Sequence, residues 1–178
     1  MKILIMTGSP RKHGSTFALV EEFIAGATEA GHQITRFDAA FEEVKPCVGC
    51  YSCHSHGMQC VFEDAMEKLK PLLFEADMLV IASPIYYFGL PAQLKVAIDR
   101  FNAFNGYLMG QRKKAAMILT CCDREEWISE PTRQQYRVLL RYMGWEDKGI
   151  LTASGLMQAR DLDRTNYRQL AREMGRNL

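Results

Sequence analysis

The sequence predicts an α/β domain in which one doubly wound parallel sheet of five strands carries helices on both faces. Five short apolar runs alternate with segments of helical period, an order that pairs strands in parallel through right-handed crossovers. The length of 178 residues suits one domain with a single core. No Gly/Ser-rich linker, internal repeat or low-complexity tract divides the chain, so residues 1–178 are predicted to form one domain.

The first three elements follow from hydrophobic periodicity and from glycine. Residues 3–7 are an apolar run that stops at Gly8, as a buried parallel strand does. Residues 16–30 place apolar side chains at three- and four-residue spacing on one helical face, and Gly31 is the expected terminator. A weaker strand is predicted over 32–38.

The rest of the chain repeats this alternation after one interruption, a cysteine-rich loop over 46–60. The predicted helices span 62–74, about 91 to 101, 130–142 and 161–174, and the predicted strands span 78–82, 115–120 and 148–153. The ligand site of such a fold is expected beyond the carboxyl ends of the strands, where the strand order reverses.

Charge and composition argue against several classes of function. The formal net charge is +1, which argues against the polybasic surface of a nucleic-acid-binding protein. No apolar run approaches the ~18 residues that a membrane span needs, so no membrane association is expected. Lys2 leads directly into the first strand without the apolar stretch of a signal peptide, and a cytoplasmic location is therefore expected.

The loop over 8–16, between the first strand and the first helix, has the residue types of a phosphate cradle. Small residues let backbone N–H groups turn inward, and the following helix adds the positive end of its dipole. Ser9, Ser15 and Thr16 supply hydroxyl donors, and Arg11 supplies a planar fork that suits phosphate oxygens. The alternative is an ordinary strand-to-helix turn with Ser15 or Thr16 as the N-cap residue.

Two other phosphate loops do not match this segment. A dinucleotide fingerprint requires G-x-G-x-x-G, whereas this loop has only Gly8 and Gly14, separated by five residues. A Walker A loop requires Gly-Lys-Ser/Thr, whereas Gly14 is followed by Ser15 with no lysine. A phosphate-transfer enzyme is therefore disfavoured.

The loop over 83–91 carries an aromatic run that lies outside the apolar period of either neighbouring element. Three consecutive aromatic residues, 86–88, stand between Pro84 and Pro91, which stiffen the loop, and Gly89 lets a backbone approach closely. This pattern predicts a platform for a flat ring. The alternative is a hydrophobic plug or a subunit interface.

The six cysteines fall into two clusters, which indicates a metal or redox site before a disulfide framework. Four share one loop, at Cys47, Cys50, Cys53 and Cys60. Their two-residue gaps let successive sulfurs turn toward a common centre, whereas a structural zinc site more often uses two separated pairs. His54 and His56 lie in the same loop, either as alternative ligands or as solvated residues.

The second cluster, Cys121 and Cys122, ends the fourth predicted strand. Strands commonly bury a free cysteine as a small hydrophobe, which is the alternative to a redox role for this pair. Trp127 follows shortly after and is predicted either at the edge of the ligand pocket or at an interface.

Three motifs occur in a recognisable order, with a short continuation after the third. They are Gly-Ser-Pro-Arg…Gly-Ser-Thr at 8–16, Pro-Cys-x-Gly-Cys-x-x-Cys at 46–53, and Ser-Pro-Ile-Tyr-Tyr-Phe-Gly-Leu-Pro at 83–91, with Lys95 and Asp99-Arg100 after it. With these motifs the sequence resembles the flavodoxin-like NAD(P)H-dependent FMN reductases, and within them the branch that contains the iron–sulfur flavoproteins. The likeness runs from Lys2 to about Arg100 and implies the flavodoxin-like strand order 2-1-3-4-5.

The resemblance implies FMN as the cofactor and NADH or NADPH as the reductant, with the chemistry on the flavin and not on an acid–base side chain. It assigns the FMN phosphate to Ser9, Arg11, Ser15 and Thr16, with His13 assisting. It assigns one border of the isoalloxazine ring to Pro84, Ile85, Tyr86, Tyr87, Phe88 and Gly89, and the other to Thr120, Cys121 and Cys122.

For the cysteine loop, the resemblance implies a 4Fe-4S cluster on Cys47, Cys50, Cys53 and Cys60 that passes single electrons to the flavin. Relatives with similar cysteines but no assigned cluster keep the alternative of a flavin protein without iron.

The leading functional hypothesis is an FMN-dependent oxidoreductase that reduces a small acceptor such as a quinone, a free flavin, a nitro compound or an azo compound. The alternative is an electron-transfer protein whose cluster exchanges electrons with a ferredoxin. A flavin or redox sensor is a third possibility, for which the sequence offers no distinct partner surface. Because a ring at the open edge of a small sheet needs cover from water, at least a homodimer is expected.

Overall fold

The computed structural model describes all 178 residues and contains one parallel sheet of five strands in the order β2-β1-β3-β4-β5. The strands are β1 (Lys2–Thr7), β2 (Gln33–Asp38), β3 (Met78–Pro84), β4 (Lys114–Thr120) and β5 (Glu146–Ala153). All four neighbouring pairs run parallel. The predicted fold class and strand order are therefore confirmed.

Seven α-helices and several short 3-10 turns connect the strands. The helices are α1 (Ser15–Glu29), α2 (Ser52–Ser55), α3 (Met66–Glu75), α4 (Ala92–Asp99), α5 (Asn105–Met109), α6 (Glu130–Met143) and α7 (Tyr167–Arg176). None of them is long and apolar enough to cross a membrane.

The sheet separates two apolar layers because successive side chains of a strand point to opposite faces. On one face Ile3 and Ile5 of β1 pack with α1 and α7. On the other face Leu4 and Met6 pack with residues of α3, α4 and α6. Helices thus cover both faces, as a doubly wound fold requires, and the carboxyl ends of the strands stay free to carry ligand-binding loops.

The structure corrects three predicted boundaries. The helix predicted from 62 begins only at Met66, where the Asp64 carboxylate accepts the backbone N–H of Met66 at 3.0 Å and so ends the preceding loop. The helix predicted over 161–174 is two elements, a 3-10 helix over Ala159–Arg164 and α7, because Thr165 between them is extended. The third strand continues to Pro84, which pairs with Thr120 of β4.

Two smaller differences have similar local causes. The fifth strand begins two residues early because the N–H of Glu146 donates to the carbonyl of Lys113 at 2.9 Å. The helix predicted from about 91 to 101 ends as an α-helix at Asp99 and continues as a 3-10 helix over Arg100–Phe104.

Candidate functional site

The loop over 8–14 joins β1 to α1 at the carboxyl edge of the sheet, where the phosphate cradle is predicted. Gly8 lies so close to α4 that a Cβ there would stand 2.9 Å from Leu94 Cδ2 and 3.0 Å from Ser83 Oγ. Its N–H donates to the carbonyl of Ala82 at 2.9 Å, which extends the sheet pairing into the loop. Only glycine lets the backbone pass at this distance, so the start of the loop is fixed by packing.

Inside the loop, the chain turns back on itself around Arg11. The N–H of Arg11 donates to Oγ of buried Ser9 at 3.2 Å, and the N–H of Gly14 donates to the carbonyl of Arg11 at 3.0 Å. The Arg11 and His13 side chains remain exposed. The Lys12 ammonium instead lies over the ring of Phe41, 4.7 Å from its centroid. Arg11 is therefore free to meet a ligand.

The N-terminus of α1 is uncapped by any side chain. Gly14 is the N-cap residue, not Ser15 or Thr16, and the first turn contains no acidic residue. The first N–H groups of a helix have no partner within the helix, and here no side chain supplies one. An uncapped N-terminus with a free arginine beside it has the donors and charge that bind phosphate, so the ordinary capped turn is not what the structure contains.

Thr120, the last residue of β4, connects the two predicted ligand loops. Its hydroxyl lies 2.8 Å from the hydroxyl of Thr16, which is 104 positions away in the chain, and its carbonyl accepts the N–H of Ile85 at 2.9 Å. In a hydroxyl pair one group donates to the other, and the acceptor keeps its own proton for a further partner. The structure thus places α1, the aromatic loop and the end of β4 at one point.

The aromatic residues form a tight turn with an uncommon backbone. Tyr86 and Gly89 exchange two backbone hydrogen bonds of 3.0 and 3.1 Å, and the residues between them have positive φ, 48° at Tyr87 and 66° at Phe88. Two-residue turns of this kind normally contain Asn-Gly, because L-residues with bulky side chains are strained there. Such strain is typical of ligand-contacting segments.

The aromatic turn is fixed at its base and exposed at its tip. Thr132 of α6 donates its hydroxyl to the carbonyl of Phe88 at 3.2 Å. The ring of Phe88 stacks on Trp127, with centroids 5.6 Å apart, while Tyr87 is 97% exposed. Thr132 carries no signal in the sequence, because a threonine at the start of a helix resembles any other helix-start residue.

The loop after β4 separates the vicinal cysteines. Cys121 is buried, and burial raises the pKa of its thiol. The thiol donates to the carbonyl of Asp123 at 3.3 Å. Cys122 is exposed. Of the two alternatives, Cys121 matches the buried hydrophobe, and only Cys122 has access to a ligand or to solvent.

The four cysteines of the loop over 46–60 line one pocket, which we call the thiol pocket. Its lining comprises Cys47, Val48, Cys50, Tyr51, Cys53, Cys60, Phe62, Arg100, Asn102 and Ala103. Burial raises the pKa of Cys53, and the other three thiols raise it further because they lie close by. His54 and His56 are absent from the lining, and Nδ1 of His56 lies 2.9 Å from the carbonyl of Ser52.

The thiol pocket does not have the geometry of a mononuclear metal site. No group of three histidine, cysteine, aspartate or glutamate side chains is close enough to hold a single ion. Ligands of a polynuclear cluster bind different iron atoms and are spread around it, so four cysteines lining one pocket fit a cluster better than one ion. The predicted ligand set of four cysteines is brought together by the structure.

Below the thiol pocket lies a fully buried ion pair that sequence analysis did not find. The side chains of Arg100 and Asp64 are each 2% exposed, with 2.6 Å between Nη1 and Oδ2. The same guanidinium nitrogen donates to the carbonyl of Lys45 at 2.7 Å. The partners are 36 positions apart, and no periodic pattern connects them.

A family model and several known proteins are similar to this chain. The family model for NADPH-dependent FMN reductases matches residues 1–145. An iron–sulfur flavoprotein of Methanocaldococcus jannaschii is 38% identical over 100 residues, which are 56% of this chain and 51% of that protein. The chain thus matches about half the length of such relatives.

A relative from Bacillus subtilis, named as an NAD(P)H-dependent FMN-containing oxidoreductase, is 23% identical over 87% of this chain and 86% of its own. Among solved structures, the NAD(P)H:quinone oxidoreductase from Methanothermobacter marburgensis has a TM-score of 0.82 at 23% identity, covering 99% of this chain and 95% of that one. An azoreductase of Bacillus anthracis in complex with FMN has a TM-score of 0.71 at 14% identity, covering 99% of both chains.

These structural likenesses establish the flavodoxin-like fold, and the match of the family model extends over most of the chain. The family resemblance seen in the sequence is confirmed, as is the prediction of FMN as cofactor with a nicotinamide reductant. The chain therefore belongs to the NADPH-dependent FMN reductase family.

Proposed function

We propose that the protein is an FMN-dependent oxidoreductase that takes hydride from NADH or NADPH and passes the electrons to a small acceptor. Quinones, flavins, nitro compounds and azo compounds are the acceptor classes. The observation that carries the proposal is the meeting of two loops at Thr120, whose hydroxyl pairs with Thr16 and whose carbonyl pairs with Ile85. An anion-binding helix terminus thereby adjoins an aromatic turn, which suits the two ends of FMN.

When bound, FMN supplies the electron transfer between nicotinamide and acceptor. The N–H groups of the first turn of α1, together with Arg11 and the hydroxyls of Ser9, Ser15 and Thr16, bind the phosphate, and His13 adds a donor at the rim. Backbone groups of the segment over 84–89 orient the ring from one side, and those of 120–122 orient it from the other. The stacked pair of Phe88 and Trp127 would border the edge of the ring.

The names of similar proteins support this activity. The Bacillus subtilis relative, matched over most of both chains, is named for NAD(P)H and FMN. The solved structure from Methanothermobacter marburgensis is named for quinone reduction. Quinone is therefore the acceptor with which to begin.

The test combines flavin binding with anaerobic reduction. Purified protein loaded with FMN is expected to bleach on addition of NADH or NADPH and to recover colour with a quinone. Arg11→Ala is expected to weaken FMN binding about ten- to hundredfold, since a charge-assisted hydrogen bond contributes roughly 1.5–3 kcal/mol. Lys12→Ala is the matched control, because the Lys12 ammonium lies over Phe41. Equal losses in both variants, or no bleaching with either nucleotide, would overturn the proposal.

We infer a second candidate function from the thiol pocket, namely electron transfer through a 4Fe-4S cluster held by the four cysteines, with a ferredoxin as partner. The convergence of the four thiols on one pocket favours it. The 38% identical relative is named as an iron–sulfur flavoprotein, which supports it further.

Iron and acid-labile sulfide in anaerobically purified protein test this second candidate. Cys53→Ser is expected to abolish iron binding, whereas Cys122→Ser, which changes an exposed thiol outside the pocket, is expected to retain it. Protein that contains FMN but no iron under these conditions contradicts a resident cluster. Reduction by ferredoxin and not by nicotinamide favours electron transfer over the reductase function.

We also propose that the protein forms at least a homodimer, because the tip of the aromatic turn is open to solvent. Tyr87 is 97% exposed beside the proposed flavin edge, and a second subunit would exclude water there. Light scattering of FMN-loaded protein is expected to give at least twice the monomer mass. A monomer that retains FMN contradicts this proposal.

A further inference from the structure

Arg100 clamps both ends of the cysteine loop from inside the protein. Its guanidinium donates to the carbonyl of Lys45, just before the loop, and to the carboxylate of Asp64, just after it. Asp64 in turn accepts the N–H groups of Lys45 at 3.0 Å and Met66 at 3.0 Å. The two ends of the loop are thus tied to one buried ion pair.

These contacts leave one donor of Arg100 without a partner. The Nε–H group is buried and has no acceptor, although the side chain is only 2% exposed. Arg36 and Arg133 also have an unpartnered Nε, but their side chains are partly exposed and do not line the thiol pocket. A buried unsatisfied N–H is costly, so its persistence beside a pocket calls for an acceptor within that pocket.

The charge in the thiol pocket is also one-sided. Arg100 is part of the lining, whereas Asp64 is not, and no other residue of the lining is a carboxylate or a cation. The remaining lining consists of the thiols, Asn102 and apolar or aromatic side chains, including Phe62, whose ring centroid is 5.4 Å from the guanidinium carbon. Because Arg100 is buried, solvent screens its charge less than that of a surface cation, so it stabilises an anion bound in the pocket.

We propose that Arg100 is a positioning residue that adapts the thiol pocket to an anionic, thiolate-ligated cluster. Its contacts with Lys45 and Asp64 hold the loop, and its Nε–H and positive charge face the occupant. The charge favours the reduced form of that occupant, which carries one more negative charge. This inference rests on the second proposed function, residence of a 4Fe-4S cluster.

A purely structural clamp explains less of the geometry. Loop anchoring uses only the two Nη atoms. It does not explain why the Nε–H of Arg100 has no partner. It also does not explain why the cation of the ion pair lines the pocket while the carboxylate does not. A neutral hydrogen-bonding residue would anchor the two loop ends without bringing a charge to the thiols.

The test is a redox titration of the cluster-loaded protein with dithionite and mediator dyes, in which one electron from dithionite enters the cluster. Asp64→Asn/Arg100→Gln removes both buried charges without leaving one unpaired. At a fixed potential its ratio of reduced to oxidised cluster is expected to fall at least about tenfold, which is 59 mV for a one-electron couple. Asp64→Asn alone, which leaves the cation unopposed, is expected to raise that ratio.

Lys2→Gln/Glu75→Gln is the matched control, because it neutralises an exposed ion pair that lies outside the thiol pocket. Its ratio of reduced to oxidised cluster is expected to stay within about twofold of the wild type, because solvent screens charges at the surface. If Arg100 has only a structural role, Asp64→Asn and Asp64→Asn/Arg100→Gln shift the ratio of reduced to oxidised cluster in the same direction or not at all. That outcome overturns the inference but leaves the proposed cluster intact. Wild-type protein without iron and sulfide overturns the cluster and the inference together.

Discussion

The phosphate loop over 8–16 and the cysteine loop over 46–60 each lie between a strand and a helix, but they are stabilised in different ways. In the phosphate loop Ser9, Ser15 and Thr16 are buried, and Gly8 packs against α4. The cysteine loop is mostly exposed, and its internal hydrogen bonds join residues no more than five positions apart, as from the N–H of Met58 to the carbonyl of Cys53.

This difference separates a loop that packs against the rest of the fold from one that is held mainly near its ends. The phosphate loop is held by long-range contacts such as the hydroxyl pair of Thr16 and Thr120. The cysteine loop receives long-range hydrogen bonds at its ends, from Asp64 and Arg100, and one inside, from the Lys70 ammonium to the carbonyl of Met58 at 3.1 Å. We expect the first loop to keep its shape without FMN and the second to gain order from whatever binds the four thiols.

Arg100→Leu is the change with the largest expected effect on this comparison. It leaves the Asp64 carboxylate buried without its counter-charge, which typically costs about 3–5 kcal/mol. The free energy of unfolding of the FMN-free protein, measured in urea, is expected to fall by that amount. Asp64→Asn/Arg100→Leu is the control and is expected to recover part of the loss. A single variant as stable as the wild type would mean that the ion pair does not hold the loop.

Gly8→Ala changes the phosphate loop and is expected to have the next largest effect. The added Cβ meets Leu94 and Ser83 at 2.9 and 3.0 Å, and overpacking of this kind costs about 1–3 kcal/mol. Both the unfolding free energy and the affinity for FMN are expected to fall. Gly106→Ala is the matched control, because a Cβ there meets nothing within 4 Å. Similar losses in the two variants would contradict a packing role for Gly8.

Two substitutions, Tyr87→Asn in the aromatic turn and Met58→Asn in the cysteine loop, test whether strained backbone serves the same purpose in both regions. Asparagine tolerates the left-handed conformation better, so the Tyr87→Asn variant is expected to gain up to ~1 kcal/mol in stability and to lose quinone reductase activity. Met58→Asn relieves the same kind of strain, at φ 65°, outside both proposed pockets. It is expected to gain stability with unchanged activity. Full activity in Tyr87→Asn would show that the aromatic tip does not contribute to catalysis.

The smallest expected effect concerns a cluster of charges remote from both loops, between α1 and α7. Hydrogen bonds from Arg172, and then from Arg176, lower the pKa of Glu29 to about 2. A lowered pKa in the folded state stabilises the protein above pH ~4.5, and this contribution is lost as the pH falls toward 2. Glu29→Gln is therefore expected to melt slightly lower at pH 6 and to approach the wild type near pH 2. High salt is expected to reduce the difference.

Local sequence patterns predicted the sheet and the ligand loops because the signals lie close together in the chain. The alternation of apolar runs and helical periods was sufficient for the fold, whereas the anion site at 8–16 stays a prediction from its motif. The split of the last predicted helix at Thr165 was missed because apolar spacing continues across a break that one extended residue makes.

The four clustered cysteines and the aromatic run were visible in the sequence, since the residues of each lie close together in the chain. Only the tertiary structure brought Thr16 to Thr120 and Arg100 to Asp64, because contacts between residues 104 and 36 positions apart leave no periodic trace. It also decided that Gly14 caps α1 and that Cys121 is buried while Cys122 is not. Burial and partners of this kind depend on how the helices pack against the sheet, and that packing uses the whole chain at once.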